Sequence, residues 1–375
     1  MAACPKPCRV GDTLADIETP ALVVCLNKLE ENIRKMKTVM ANYPGVVCRP
    51  HVKTHKSPDI ARLQMKEGGA VGVCCQTLTE AEAMVFGGVS DILITNQIIG
   101  KPKLRRVASL TKQAKVAVCV DSEVNVRDLS EVAVEMGVTV DVVIEVHVGG
   151  LRCGVEPGDA VVALAKTIVA LPGIIFKGLL CYQGKNQHVR SAQERKKTVD
   201  MVAEKVRRSL EALKAAGIEC NYVTGGGTGS FQYEASSKVF TEVEPGSYVM
   251  MDADYRKNLV EDGNFFTDFQ QSLFVVSTVQ SVSSTPERAV LDAGMKALSL
   301  DSGEPVLSQY PDLTYHNGGD EHGVVVPARD LKIGDKVWLV PGHCDPTVNM
   351  HSWIVGMRDG RVECVWPISG RGPGV

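Results

Sequence analysis

A lysine set among histidines, in Arg49-Pro50-His51-Val52-Lys53-Thr54-His55-Lys56, follows the apolar run Val46-Val47-Cys48. If Val46 to Lys53 is a barrel strand, Lys53 stands at the C-terminal rim, where parallel barrels collect catalytic groups. An amine held there can lose its proton and form a Schiff base with a carbonyl cofactor. A second signal is Thr224-Gly225-Gly226-Gly227-Thr228-Gly229-Ser230. Three consecutive glycines remove every β-carbon, so backbone N–H groups can meet an anion closely, and the hydroxyls add donors. In Pro341-Gly342-His343-Cys344-Asp345-Pro346-Thr347 an imidazole and a carboxylate stand two positions apart. In an extended segment they share a face and can reach one divalent ion, with Cys344 pointing the other way. Arg152 and Tyr182 follow strand-like runs and should face the same rim, and His188 lies a turn further on as a candidate proton acceptor. Each signal has a plainer alternative: a solvated basic loop, a flexible glycine turn, a hydrogen-bonded His–Asp pair. Asp320-Glu321-His322 is either a piece of active-site wall or a polar turn.

The elements that must position these groups read as eight near-continuous apolar runs: Val46 to Lys53, Ala70 to Cys75, Asp91 to Asn96, Lys115 to Asp121, Asp141 to Gly149, Phe176 to Gly184, Cys220 to Gly227 and Val243 to Asp252. Such runs suit parallel strands buried on both faces. Helix-like stretches separate them, including Ser57 to Glu67, Thr79 to Phe86, Ser122 to Met136, Asp159 to Ala170 and Ser191 to Ala216. The alternation is α/β and predicts a (β/α)8 TIM barrel over residues 20–265, with the glycine loop following the seventh strand, a common place for a barrel's phosphate site. A doubly wound sheet would show a Gly-x-Gly-x-x-Gly turn after its first strand, which is absent. After residue 265 short alternating runs such as Leu273 to Val279, Ala289 to Asp292, Lys336 to Val340 and Arg361 to Trp366 predict an all-β domain over 266–375, joined by residues 1–19. The lead-in Thr13 to Val24 can add a strand to it or to the barrel's edge.

Composition narrows the partners. A net charge of -3 and no basic block argue against nucleic acid or an anionic membrane. No apolar run is long enough to span a bilayer, and the opening Met1-Ala2-Ala3-Cys4-Pro5-Lys6-Pro7 lacks the apolar core of a signal peptide, so a cytoplasmic location is expected. The twelve cysteines show no zinc-knuckle spacing, and Cys48, Cys74, Cys75, Cys119 and Cys181 fall inside strand candidates, as reduced buried thiols do.

Together these motifs resemble the fold-type III, alanine-racemase-like pyridoxal-phosphate enzymes, the family that includes D-threonine aldolases and eukaryotic D-serine dehydratases. The matching stretches are Arg-Pro-His-Val-Lys-Thr-His-Lys at 49–56, Gly-Val-Cys-Cys-Gln at 72–76, Arg-Cys-Gly-Val at 152–155, Thr-Gly-Gly-Gly-Thr-Gly-Ser at 224–230, Gly-Ser-Tyr-Val-Met-Met-Asp at 246–252, Asp-Glu-His-Gly at 320–323 and His-Cys-Asp-Pro-Thr at 343–347. The resemblance implies that Lys53 binds pyridoxal 5'-phosphate covalently, and that Gly225, Gly226 and Gly227, between Thr224 and Thr228, hold the phosphate with Tyr248 as a further contact. It implies that Arg152 and Tyr182 touch the cofactor ring, and that His343 and Asp345 hold a divalent metal, manganese or magnesium, with zinc or cobalt as alternatives. The implied reaction is retro-aldol cleavage of D-threonine and related D-β-hydroxy-α-amino acids to glycine and an aldehyde, with His188 or a metal-bound hydroxide as base. The dehydratases usually carry cysteine where this chain has Asp345, which favours aldol chemistry over water elimination from D-serine or D-3-hydroxyaspartate. A non-catalytic pyridoxal-phosphate carrier would lack the second domain, and a racemase would need a tyrosine base such as Tyr310 or Tyr315. Family members pair as homodimers in which one subunit's β domain closes the other's barrel.

Overall fold

In a computed structural model residues 5–374 are described; the leader reading of residues 1–4 lies outside the described residues. Eight parallel strands, Val47–Cys48, Val73–Cys75, Asp91–Gln97, Lys115–Val120, Val140–Glu145, Ile174–Leu180, Val223–Gly225 and Glu242–Val243, form one sheet in chain order. The sheet closes into a barrel where His51 bridges Cys74, and where the Val71 and Cys74 N–H groups donate to the carbonyls of Cys48 (3.1 Å) and Pro50 (2.9 Å). Helices between the strands cover the outside, and the strands' outward Val and Ile side chains pack against them in one continuous apolar layer. Side-chain caps set where helices begin: Thr77 accepts the Glu80 N–H at 3.2 Å, and Ser191 that of Glu194 at 3.4 Å. The helices Lys101–Leu110 and Phe231–Ser236 fill crossovers for which the sequence reading names no helix.

The first and eighth strands are much shorter than their apolar runs. Pro50 has no N–H to give a ladder, so the first strand stops at Cys48 and Lys53 sits on a 3-10 turn, Val52–Thr54, instead of a strand end. Pro245 and Gly246 cut the eighth in the same way, ahead of a second such turn at Ser247–Val249. Both turns remain at the barrel's C-terminal rim.

Nine further strands form the second sheet, built from Leu273–Ser284, Glu287–Leu291, Val306–Leu307, Thr314–Asn317, Gly323–Val326, Lys336–Val340, Trp353–Arg358, Arg361–Pro367 and, from the other end of the chain, Ala21–Cys25. The last of these lies between Leu273–Ser284, antiparallel, and Trp353–Arg358, parallel. A boundary at residue 20 assigns it to the barrel; its hydrogen bonds place it in the β domain, and the barrel's own elements begin with the helix Leu26–Met40. One apolar cluster runs from Leu29 and Ile33 of that helix through Tyr248 and Phe269 to Leu339 and Ile354, so the two domains share a core. Among the described residues no helix is long and apolar enough to cross a membrane. Cys48, Cys74, Cys75, Cys119, Cys181 and Cys344 are buried free thiols.

Candidate active site

Lys53, Arg152, Tyr182, Ser247 and Tyr255 line both an outer cleft of about 350 Å³ and an inner cavity at the barrel mouth. The outer cleft adds His188, His343 and Asp345, and the inner cavity adds His51, Gly227, Thr228 and Glu244. The turn under Lys53 is fixed by His51, whose Nδ1 accepts the Lys53 N–H at 3.3 Å while Nε2 faces Thr95 Oγ1 at 3.0 Å. A ring nitrogen that accepts from a backbone N–H carries no proton, and burial pushes the imidazole's pKa well below its ordinary value; His51 is neutral. Burial also opposes charge on Lys53, while Tyr182 and Asp345 favour it. Together they prevail and hold the free amine's pKa above the ordinary lysine value, the Asp345 carboxylate standing 3.6 Å from Nζ.

The glycine loop is shaped from behind. A β-carbon on Gly226, at φ +75°, would lie 3.0 Å from the Glu234 carboxyl carbon, and one on Gly227 would lie 2.7 Å from Gln187 Oε1. Gly226 is therefore required by its left-handed backbone, and a side chain at Gly227 would have to displace Gln187. Toward the cavity, among the described residues, no protein acceptor meets the buried N–H groups of Gly227, Thr228 and Ser247. Buried N–H groups without a partner are rare, and three of them on two adjoining loops make an anion seat that fits a phosphate. Thr224 does not face this seat: its hydroxyl donates inside the barrel to Glu244 at 2.7 Å and reaches Glu242 at 3.1 Å. Gly225 packs against the Cys181 carbonyl, so the seat falls to Gly227 and Thr228 instead of the whole run. Tyr248 is also turned away, its hydroxyl accepting from Gln64 Nε2 at 3.0 Å and its ring edge-on to Phe269. The Glu242 carboxylate is held by Arg49 at 3.0 Å, which also pairs with Asp91 at 2.7 Å. Burial lifts Glu244 to about 8 and Glu234 to about 7.

His188 ends the turn Gly184–His188, and its Nδ1 lies 2.7 Å from Asp254 Oδ2. Burial opposes ionisation of Asp254, but hydrogen bonds from Arg190 and His188 prevail and hold the carboxyl below its ordinary value. With a carboxylate on Nδ1, the neutral ring carries its proton there and offers the Nε2 lone pair. No motif marks Asp254; an aspartate two positions after the matched Asp252 is its only trace in the sequence.

His343 and Asp345 are not in an extended segment. His343 caps the short helix Cys344–Met350, and the carboxylate of Asp252 accepts the Cys344 N–H at 3.2 Å. The side chains still converge, with Nε2 and Oδ2 4.0 Å apart. Nδ1 faces Asp301 at 2.8 Å, which leaves the Nε2 lone pair for a ligand. Asp345 Oδ1 accepts from Thr54 Oγ1 at 2.9 Å, and Lys53, Lys56 and His343 overcome its burial to hold the carboxyl at about 2. An imidazole and an ionised carboxylate suit a divalent ion, although among the described residues no third His, Cys, Asp or Glu joins them. Cys344 is fully buried and faces the protein interior. Asp320 and Glu321 form an exposed turn with Lys296, outside the cleft. Tyr315 is sealed in the β domain with its hydroxyl on the Ala293 carbonyl, and Tyr310 does not line the cleft.

Comparison with known proteins agrees with this architecture. The family model for the alanine racemase N-terminal domain matches residues 24–254, and that for a putative serine dehydratase domain matches 272–357. The chain is 44% identical to a 3-hydroxy-D-aspartate aldolase of Paracoccus denitrificans over 98% of its own length and 96% of the other's. It is 43% identical to a D-threonine aldolase of an Arthrobacter species, over 99% and 97%. The crystal structure of D-threonine aldolase from Filomicrobium marinum superimposes with a TM-score of 0.93 at 42% identity, covering 98% of this chain and 99% of that one.

Proposed function

The chain belongs to the family of D-threonine and 3-hydroxy-D-aspartate aldolases, an alanine-racemase-type barrel joined to a serine-dehydratase-type domain, and on that premise we propose that it is a lyase that cleaves D-β-hydroxy-α-amino acids, D-threonine among them, to glycine and an aldehyde. The observation that carries this reading is the pair of adjoining cavities, sharing Lys53, Arg152, Tyr182, Ser247 and Tyr255, that sets an anion seat on one side of Lys53 and His188 on Asp254 with the His343–Asp345 pair on the other. Pyridoxal phosphate would be held by Lys53 and by the N–H groups of Gly227, Thr228 and Ser247 and would supply an electron sink at the amino acid's α-carbon, and a divalent ion would be held by His343 and Asp345 and would acidify a hydroxyl.

The chain's own groups then handle one proton and one bond. His188 Nε2 takes the proton of the substrate's β-hydroxyl. The O–H electron pair becomes the second bond of the leaving aldehyde, and the Cα–Cβ pair stays on the α-carbon, which is later protonated to give glycine. Asp254 stabilises the imidazolium that forms and keeps the ring turned toward the cleft, as the carboxylate of a catalytic triad does. Lys53 is held at the rim by Asp345, whose other oxygen accepts from Thr54.

Water elimination is the competing reaction on such a site, and Asp345 with Cys344 buried speaks against it. Incubating the loaded enzyme with D-threonine and identifying products by mass decides: glycine with acetaldehyde supports cleavage, whereas ammonia with 2-oxobutanoate would make the chain a dehydratase. A cytoplasmic homodimer is part of the same proposal, supported by the buried thiols and the family's pairing; sedimentation would test it.

A further inference from the structure

We propose that Gln187 is a positioning residue that locks the turn carrying His188 to the phosphate seat, so that one hydrogen-bonded frame sets both. The inference rests on His188 as the proton acceptor of the reaction above. Gln187 precedes His188 in the turn Gly184–His188, is 1% exposed and does not line the cleft, so any effect on chemistry must pass through a neighbour.

Both ends of its amide are committed. Oε1 accepts the Gly229 N–H at 2.9 Å, and Nε2 donates to Ser230 Oγ at 2.8 Å. Ser230 in turn donates to Glu234 Oε1 at 2.9 Å. A backbone N–H can only donate, so Gly229 fixes which end of the amide is Oε1 and leaves Nε2 to donate to Ser230. The amide packs against Gly227, where a β-carbon would come within 2.7 Å of Oε1. The seat's shape at Gly227 and Thr228 therefore depends on where Gln187 sits.

From the same residue a second path reaches the imidazole. The Gln187 carbonyl accepts from Asn258 Nδ2 at 2.9 Å, and Asn258 Oδ1 accepts from Arg190 Nη1 at 2.8 Å. Arg190 donates to the Asp254 carbonyl at 2.9 Å and pairs with its carboxylate, which holds His188 Nδ1 at 2.7 Å. Backbone on one side and Asn258, Arg190 and Asp254 on the other thus join Gln187 to His188 in a closed ring. A general base displaced by about 1 Å can lose on the order of 100-fold in rate, so a frame of this kind has kinetic consequences.

The test is a double-mutant cycle on the holoenzyme with Gln187→Met, which keeps length and loses both hydrogen bonds, and His188→Ala. Two quantities are read: cofactor affinity, from absorbance on titrating cofactor-depleted protein with pyridoxal phosphate, and kcat for D-threonine at saturating cofactor. Gln187→Met should weaken cofactor binding about tenfold in either background, and lower kcat about tenfold only where His188 is present, because residues in one network are non-additive. An equal fall in kcat in both backgrounds, or none in either, overturns the proposal. Wild-type kcat in His188→Ala alone overturns it together with the role of His188, whereas a low kcat there with additive effects overturns the frame only. Should Gln187→Met fail to fold, Ser230→Ala, which strands Nε2, is read by the same criteria.

Discussion

The phosphate seat and the His343–Asp345 pair serve one cleft, yet they are built by different means. The seat is backbone, offered by loops that leave barrel strands directly and backed by buried Gln187, Ser230 and Glu234. The pair is side chain, its two residues 26% and 15% exposed, and it reaches the cleft from the β domain through Thr54, Lys56 and Asp301. A seat of backbone donors is specified by the barrel, whereas the pair belongs to the β domain and meets Lys53, Thr54 and Lys56 only when the two domains dock. Binding of the cofactor should therefore tolerate damage to the β domain's ligands, and proton chemistry at the β-hydroxyl should not.

Lys53→Ala breaks the comparison most completely. It should remove the visible absorbance of the lysine imine and turnover together, with circular dichroism unchanged; retained imine absorbance would put the covalent link elsewhere. Next in size is His188→Ala, expected to lower kcat by roughly 10²–10⁴-fold with little change in cofactor affinity. Asp254→Asn should follow it, since the ring then loses the carboxylate that fixes its tautomer. Asp345→Ala should leave the cofactor bound but weaken metal binding by more than the roughly 10–100-fold that loss of an outer partner costs, and Thr54→Val should fall within that range. Titration with manganese, read calorimetrically, separates the two; equal affinities in all three proteins would remove the metal from the scheme.

How much of this was legible in the sequence depended on whether a residue type announces its own job. Lys53, His188, His343 and Asp345 announce theirs, and the fold carries them from distant positions into one cleft. Eight apolar runs alternating with helical ones gave the barrel and its order, but not strand lengths, because prolines at 50 and 245 end ladders inside the runs read as strands. Motif membership located loops without saying which face a side chain takes: Thr224 and Tyr248 stand in matched stretches and point away from the seat. Asp254 and Gln187 were illegible for the opposite reason. Each is placed by partners far along the chain, a relation that neither periodicity nor spacing records.

Glu234 offers a smaller effect with a definite sign. Its carboxyl keeps a proton up to about 7 in the folded protein against 4.5 ordinarily, so between those values the folded state binds more protons. The contribution of Glu234 to stability should be full below pH 4.5, fall as pH rises to 7 and level beyond, with a total cost of about 3 kcal/mol. Glu234→Gln keeps an acceptor for Ser230 and cannot ionise, so urea unfolding at pH 5 and pH 8 should show the difference between the two pH values shrink relative to wild type. An unchanged difference would mean that Glu234 is ionised throughout.

Tyr248→Phe should have the smallest effect and the sharpest meaning. Nδ1 of His55 accepts the Ser57 N–H, which leaves Nε2–H to donate to Gln64 Oε1 at 3.1 Å, and Gln64 Nε2 then donates to the tyrosine oxygen. Removing that oxygen strands one amide hydrogen and should cost about 1 kcal/mol of stability. Cofactor affinity should not change, because the hydroxyl is spent on Gln64 and the ring is packed in the core shared with the β domain. A fall in affinity comparable to that from disturbing Gly227 or Thr228 would mean that the phosphate is held by side chains as well as backbone, and the contrast between the two halves of the cleft would narrow.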